Sequence, residues 1–251
     1  MAVKALLIPG FAEPKRVWFD EARFVAQQLT WIDEVIVSGG NPLGSYQQRA
    51  EEILVEIEGR IKPENQLIVV GHSFGGIIAR YMTSLGYLQP RYLVTIATPH
   101  RGIQHAEVYA RSARDRIGPV LISWMFRRLY RFIASCFGAD EEALFQLTIE
   151  EMRKFNEEYE DVESTTYLSY ACVAEQVGTL LRIPQLLLSA DTFEPNDSII
   201  TLESAKWGRF MGMVSCDHLE VVGSRGPNNF DSDQFLLSVF ELIRDDFVTE
   251  T

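Results

Sequence analysis

The sequence has few cysteines and no excess of positive charge, and each shortage excludes a class of protein. Its three cysteines, Cys136, Cys172 and Cys216, are odd in number and far apart, which argues against a disulfide framework and predicts a reducing, cytoplasmic location. Lys and Arg total 23 against 35 Asp and Glu, a net charge of −12. No nucleic-acid partner is therefore expected, because phosphate binding needs a basic surface.

The sequence also lacks a transmembrane pattern and a secretion signal. The longest apolar stretch, residues 117–137, contains Arg127, Arg128 and Arg131, which a membrane-spanning helix would not tolerate. Lys4 and the Pro9-Gly10 pair interrupt the apolar residues at the N-terminus, so no signal peptide is predicted. At 251 residues the chain can form one large domain, residues 1–251.

The chain does contain short apolar strands that alternate with amphipathic helices. Strands are expected over residues 3–8, 34–37, 67–70, 92–97, 165–173 and 209–215. Helices are expected over residues 17–29, 45–60, 77–85 and 235–247. This alternation predicts an α/β fold with a parallel sheet covered by helices on both faces.

Residues 103–163 break this alternation. They show helical patterns over 117–137 and 143–159 and no convincing strand, so we predict a helical cap inserted into the sheet domain. Six apolar cap residues could cover an acyl-chain pocket or could be the packed inner face of the cap helices; they are Leu121, Trp124, Met125, Phe126, Leu129 and Phe132. The three arginines are either a solvated face or an anchor for transient contact with a lipid interface.

The segment Gly71-His72-Ser73-Phe74-Gly75 fits a nucleophile elbow, in which a strand turns sharply into a helix. The residue at the apex, Ser73, is then expected in a strained conformation that holds its side chain clear of the backbone. The glycines two positions on either side are a steric requirement, because a Cβ there would collide with the neighbouring strand or helix. The pattern predicts Ser73 as a nucleophile.

A serine nucleophile needs a base and an acid that orients the base, and the chain order in this type of site is Ser, then Asp or Glu, then His. The chain has four histidines. His72 adjoins the nucleophile, and His100 and His105 precede every late acid, so only His218 satisfies the order. The alternative interpretation of His218 is a surface histidine in a loop.

Three aspartates between the cap and His218 could be the acid. Asp217 adjoins the base in sequence, which makes the approach of its carboxylate to the imidazole awkward, and Asp191 and Asp197 flank a polar loop. Either of these two could instead be an ordinary turn or helix-capping residue. The residues alone leave the choice open.

Acyl transfer also requires donors for the developing oxyanion, and two backbone N–H groups suffice. One is expected from Phe74, which follows the nucleophile, and one from Phe11, in the loop after the first strand. The alternative for the Pro9-Gly10 pair is a simple tight turn, which is compatible with this role.

Six blocks of the chain, taken in order, resemble the bacterial triacylglycerol lipases and esterases of the α/β-hydrolase superfamily: residues 7–11, 70–82, 96–102, 144–159, 196–208 and 217–220. The resemblance implies the α/β-hydrolase fold, with a mostly parallel, doubly wound sheet and an inserted helical cap. It also implies Ser73 as nucleophile, Asp197 as orienting acid, His218 as base, and the Phe11 and Phe74 amides as oxyanion hole.

The chain departs from that family at two positions. The family commonly has His-Gly where this chain has Pro9-Gly10. It also has a calcium-ligating Asp two residues after the catalytic His, where this chain has Glu220. We therefore predict neither a metal nor another cofactor.

The sequence thus predicts a serine carboxylester hydrolase, a lipase or esterase that acts on small-molecule or lipid esters of apolar acids. Two alternatives stay open. The same triad could pass the acyl group to an alcohol, amine or thiol, as in an acyltransferase, or serve a thioesterase or amidase. The chain could also be a non-catalytic lipid-binding protein on a hydrolase scaffold.

Overall fold

The computed structural model describes residues 1–103, 142–182 and 194–248, and the described strands form one sheet in which every neighbouring pair is parallel. Its strands are β1 (Val3–Ile8), β2 (Glu34–Val37), β3 (Gln66–His72), β4 (Tyr92–Ile96), β5 (Thr166–Cys172) and β6 (Arg209–Val214). The strand order is β2-β1-β3-β4-β5-β6. The predicted parallel α/β sheet is confirmed.

The described helices flank this sheet. They are α1 (Phe19–Gln28), α2 (Tyr46–Ile57), α3 (Phe74–Ser84), α4 (Glu142–Phe145), α5 (Ile149–Glu158), α6 (Leu202–Ala205), α7 (Ser232–Ile243) and α8 (Asp245–Val248). Three-residue or four-residue 3₁₀ helices occur at Lys15–Trp18, Thr179–Leu181 and Glu220–Val222. None of the described helices is long and apolar enough to cross a membrane.

The apolar core lies on both faces of the sheet, because successive strand side chains point to opposite sides. On one face Leu6 and Val69 pack with residues of α2 and α3. On the other face Leu7 and Val70 pack with residues of α1 and α7. The central parts of β1 and β3 are therefore apolar and buried, as expected for a sheet covered on both sides.

The strand order reverses direction at β1, which pairs with β2 on one side and with β3 on the other. In open parallel sheets, ligand sites form outside the carboxyl ends of the strands at such a switch point. Ile8, the last residue of β1, is in register with Gly71 near the end of β3. The loop after β1 and the turn after β3 therefore emerge side by side.

Several element boundaries differ from the predictions, and the reason is usually a local cap. The helix expected over 143–159 is two helices, because the Thr148 side chain accepts the Glu151 N–H and starts α5 there. The closing helix begins earlier than expected, after an Asp231 cap that accepts the Gln234 N–H. Ser45 caps α2 as predicted, although that helix ends at Ile57.

The predicted cap lies largely outside the described residues, so its apolar residues and its three arginines stay predictions. The described part, α4 and α5, contributes Met152 and Phe155 to the same core cluster as α3. His105, Cys136 and Asp191 also lie outside the described residues. Cys172 and Cys216 are buried free thiols.

Candidate active site

Ser73 lies at the apex of a sharp turn between β3 and α3. Its φ of 51° and ψ of −125° place a non-glycine residue in a strained region of the backbone map. The Ser73 N–H donates to the Ile96 carbonyl oxygen at 2.9 Å, which ties the turn to the end of β4. The strand, strained apex and helix have the arrangement that the motif predicted.

Contacts at two glycines explain why the motif requires them. A Cβ on Gly75 would overlap the Ile8 carbonyl oxygen, because α3 begins directly against the end of β1. A Cβ on Gly71 would lie 2.6 Å from the Gly76 Cα, because the chain folds back on itself there. Any larger residue at either position would push the first turn of α3 away from the sheet.

His218 comes from the loop between β6 and the following 3₁₀ helix, and it lies between Ser73 and Asp197. Its Nε2 is 3.0 Å from Ser73 Oγ, and its Nδ1 is 2.7 Å from Asp197 Oδ2. Both distances are within hydrogen-bond range. All three side chains are buried, so a continuous hydrogen-bonded chain runs from the serine to the carboxylate.

Asp197 is held in place by its own loop. Its Oδ1 accepts the N–H groups of Ile199 and Ile200 at 2.9 and 2.7 Å, which leaves Oδ2 facing the imidazole. The Asp197 carbonyl oxygen also accepts the His218 N–H at 3.1 Å, so the two loops are joined. This geometry fixes the carboxylate before any substrate binds.

Asp217, the neighbouring candidate, is used differently. Its Oδ1 accepts the N–H groups of Leu219 and Glu220, both at 3.0 Å, and its Oδ2 accepts the Gly178 N–H at 3.0 Å. These bonds shape the loop that carries His218. Glu220 braces the same loop, because its carboxylate accepts the N–H groups of Asp217 and Asn228 at 2.9 and 2.8 Å.

The charge around His218 favours its protonated form. Burial alone lowers the pKa of His218, but the carboxylate of Asp197 more than offsets that effect and the pKa is raised above its ordinary value. Glu13 and Asp217 raise the pKa of His218 further. The site therefore stabilises an imidazolium, the species that forms when a histidine takes a proton from serine.

Phe74 and Phe11 lie on the two segments where oxyanion donors were expected. Phe74 is the first residue of α3, where the backbone N–H groups have no partner within the helix. Phe11 follows Gly10, whose backbone is so close to the apex that a Cβ there would lie 2.9 Å from the Ser73 Cβ. The two phenyl rings pack edge to face with centroids 6.3 Å apart.

Two buried polar residues at this site, Arg49 and Glu13, were not predicted from the sequence. Arg49, on α2, donates from Nη2 to the Pro9 carbonyl oxygen at 2.8 Å and from Nη1 to the Gly10 carbonyl oxygen at 2.9 Å. Glu13 Oε2 accepts the Gly10 N–H at 2.6 Å and lies 2.9 Å from His72 Nδ1. One signal was available for Arg49, which shares the apolar stripe of α2 with Ile53 and Ile57 at a spacing of four residues.

Glu13, His72 and His218 also come close enough to be considered as metal ligands. Their ligand atoms lie within 4.8 Å of one another, and two histidines with a carboxylate suit zinc. Both nitrogens of His218 already face Asp197 and Ser73, however, and a Glu13 oxygen already accepts the Gly10 N–H. We therefore interpret the cluster as a hydrogen-bond network.

Comparison with known proteins agrees with this architecture. Residues 25–112 match the protein family described as PGAP1-like alpha/beta domain. Triacylglycerol lipase 2 of Saccharomyces cerevisiae is 25% identical over 231 residues, which cover 87% of this chain. The match spans 65% of the length of the yeast protein.

Solved structures of bacterial lipases and esterases share the fold. The Bacillus licheniformis lipase BlEst2 in its mature form superposes with a TM-score of 0.69 and 17% identity, covering 96% of this chain and 91% of that one. The metagenomic carboxyl esterase MGS0156 superposes with a TM-score of 0.72 and 18% identity, covering 98% of this chain and 76% of that one. The Staphylococcus hyicus lipase superposes with a TM-score of 0.65 and 17% identity, covering 97% of this chain and 95% of that one.

The chain therefore has the α/β-hydrolase fold. It resembles lipases and esterases both in sequence and in structure, as the six sequence blocks predicted.

Proposed function

We propose that this chain is a serine carboxylester hydrolase that cleaves esters of apolar acids, with Ser73 as nucleophile, His218 as base and Asp197 as orienting acid. The observation that carries the proposal is the buried hydrogen-bonded chain from Ser73 Oγ through both nitrogens of His218 to Asp197 Oδ2. A serine hydroxyl is a weak nucleophile near neutral pH, and such a chain removes its proton as it attacks.

In the acylation step, Ser73 Oγ attacks the ester carbonyl carbon while His218 Nε2 takes the hydroxyl proton. Asp197 keeps the other imidazole proton on Nδ1 and stabilises the imidazolium that forms. The amides of Phe11 and Phe74 donate to the developing oxyanion, each contributing about 3 kcal/mol. The alcohol then leaves with the proton from Nε2, and the acyl group stays on Ser73.

Deacylation repeats the same steps with water. His218 Nε2 takes a proton from a water molecule, the resulting oxygen attacks the acyl carbon, and the oxyanion forms again against the two amides. Collapse returns the proton to Ser73 Oγ and releases the carboxylic acid. No group outside these residues is needed for the proton balance.

The substrate class rests on relatives. The yeast relative is named a triacylglycerol lipase, and the solved structures include a lipase and a carboxyl esterase. We extend ester hydrolysis of lipid or small-molecule substrates to this chain as part of the proposal, together with contact between the predicted cap and a lipid interface. The cytoplasmic location predicted from the cysteines stays a prediction.

Replacement of Ser73 tests the nucleophile. We expect Ser73→Ala to lower hydrolysis of nitrophenyl esters by at least about 10⁴-fold and to abolish labelling by a fluorophosphonate probe. Ser238→Ala, on the exposed side of α7, is the matched control and should keep both activities. The assay is run on short soluble esters and on emulsified long-chain esters, so that the same measurement separates an esterase from a lipase.

Full hydrolysis by Ser73→Ala would rule out this assignment. Activity in the wild-type protein without any preference for apolar acyl groups would leave the nucleophile in place and overturn the substrate class.

A further inference from the structure

A second carboxylate–histidine pair borders the proposed triad. It consists of Glu13, from the loop after β1, and His72, the last residue of β3. Both side chains are buried, and a carboxylate is costly to bury unless it is bound by several donors. Glu13 is not part of the hydrogen-bonded chain through Ser73, so its burial requires another explanation.

The first explanation lies in the peptide group between Pro9 and Gly10. Arg49 donates to its carbonyl oxygen, and Glu13 accepts from its N–H. This peptide is therefore bound at both ends by buried side chains of opposite charge. Its orientation is fixed more firmly than the backbone alone would fix it.

The orientation of the next peptide group, between Gly10 and Phe11, is fixed by the same arginine. Arg49 also donates to the Gly10 carbonyl oxygen at 2.9 Å. In a trans peptide the N–H points opposite to the C=O, so holding the Gly10 oxygen on Arg49 directs the Phe11 N–H away from Arg49. Glu13 and Arg49 together determine where the proposed oxyanion donor points.

The second explanation is electrostatic. Burial raises the pKa of Glu13, but the interaction with His72, aided by His218 and the Gly10 N–H, more than offsets this and the pKa is lowered. Glu13 therefore carries a negative charge near neutral pH. The rings of His72 and His218 are in contact, with centroids 4.7 Å apart, so this charge lies close to the proposed base.

We propose that Glu13 is a positioning residue of this site, which orients the peptide groups leading to the Phe11 amide and stabilises the protonated form of His218. The first role rests on the proposed function, whereas the second concerns an equilibrium property of the folded chain. The titratable and charged groups around this pair come from several elements: Asp197 and Asp217 face His218, and His72, His218 and Arg49 face Glu13.

The isosteric variant Glu13→Gln isolates the charge. A single glutamine oxygen can accept both the Gly10 N–H and a proton on His72 Nδ1, as Glu13 Oε2 does, so the loop geometry is kept. We expect the pKa of His218 to fall by about 0.5 to 1 unit. The acidic limb of the kcat/KM profile should move to lower pH by the same amount, because the base must be neutral to act.

Glu13→Ala removes the anchor as well as the charge. We expect kcat to fall on the order of 10- to 100-fold with little change in KM, because a misdirected donor weakens binding of the oxyanion and leaves binding of the ground state intact. Glu21→Gln is the matched control. Glu21 is a buried carboxylate on α1 that accepts from the Ser232 hydroxyl, and its replacement should change neither the His218 pKa nor kcat.

The pKa of His218 is measured by NMR titration of the imidazole protons, which is tractable in a chain with four histidines. This readout does not depend on turnover, so it distinguishes failure of this inference from failure of the proposed function. An unshifted His218 pKa in Glu13→Gln overturns the proposal. Full turnover by a folded Glu13→Ala, measured beside an active wild-type enzyme, overturns it as well.

Discussion

Two buried histidines, His218 and His100, have neighbours of opposite charge. His218 lies beside Ser73 and faces the carboxylate of Asp197. His100 follows β4 and faces the guanidinium of Arg80, with Nη1 lying 3.3 Å from His100 Nδ1. Both imidazoles are buried, so burial alone does not distinguish them.

The partners impose opposite tautomers. An ionised carboxylate can only accept, so Nδ1 of His218 carries the proton and Nε2 offers a lone pair to the Ser73 hydroxyl. A guanidinium can only donate, so Nδ1 of His100 accepts and Nε2 donates to Thr95 Oγ1 at 3.0 Å. His100 has no lone pair left for chemistry.

The pKa values separate in the same way. The pKa of His218 is raised, because the facing carboxylates outweigh burial. The pKa of His100 is lowered well below its ordinary value by burial and by the charges of Arg80 and Arg101. The neighbouring charge, more than burial, therefore decides which buried histidine can act as a base near neutral pH.

Asp197→Asn removes the carboxylate that distinguishes His218 and should have the largest effect among changes to the surroundings of these two histidines. Since Ile199 and Ile200 donate to one oxygen of Asp197, the asparagine carbonyl will take that position and its NH₂ will face His218 Nδ1. The imidazole proton then moves to Nε2, which can no longer accept from Ser73. We expect kcat to fall by about 10⁴-fold in an esterase assay.

The control for that experiment is Asp217→Asn. An asparagine at this position keeps an oxygen for the N–H groups of Leu219 and Glu220 and loses only the bond from the Gly178 N–H, so the loop should hold and kcat should change by less than about tenfold. If both variants lost activity equally, the distinction between the two aspartates would be wrong.

The sequence predicted much of the sheet and the turn at Ser73, because both depend on local patterns. The limits of β1 and β2 were predicted to the residue, and Gly71 is needed by a contact within one strand–turn–helix unit. His218 could be found by elimination, since only one histidine follows the late aspartates. The spacing and order of residues along the chain were enough to predict these features.

The sequence alone did not predict the features of the site that depend on contacts between distant loops. The residues alone left Asp191, Asp197 and Asp217 open, because the choice depends on which loop turns a carboxylate toward β3. Glu13 has no periodic signal, and its partner His72 meets it only after β1 and β3 pair. The break before α5 was missed because the apolar spacing continues through Thr148, and only its capping bond interrupts the helix.

Replacement of Arg80 tests the other side of the comparison. The Arg80 guanidinium stacks on Trp207 at 3.6 Å and donates to Asn156 Oδ1 at 2.8 Å. Arg80→Met should lower the free energy of unfolding by about 2–4 kcal/mol, because the Arg80 side chain is buried and Asp161 loses its cationic neighbour. Urea denaturation measures the change.

Arg244→Met is the matched control. Arg244 is an exposed residue that pairs with Glu241 within the same segment of chain, so its replacement should cost less than about 1 kcal/mol. Equal losses from the two variants would show that the buried cluster around His100 contributes no more than a surface pair. Esterase activity of folded Arg80→Met should stay within about threefold of wild type, since this cluster lies apart from the hydrogen-bonded chain at Ser73.

The smallest effect, and the one that compares the two histidines directly, is the pH dependence of stability. An unfolded histidine titrates near pH 6.5. Because the folded pKa of His100 is lower, the unfolded chain binds an extra proton below that pH and stability is lost as the pH falls. Because the folded pKa of His218 is higher, the folded chain holds the extra proton and stability is lost as the pH rises above 6.5.

Urea unfolding between pH 5.5 and 8 therefore separates the two sites. His100→Asn should remove the loss of unfolding free energy below pH 6.5, which amounts to at most about 1.4 kcal/mol per pH unit. His218→Asn should remove the loss of unfolding free energy above pH 6.5. Glu21 cannot imitate the acid-side loss, because burial raises the pKa of its carboxyl and its contribution falls as the pH rises. An acid-side slope that persists unchanged in His100→Asn would mean that His100 is not its source, and the contrast with His218 would fail.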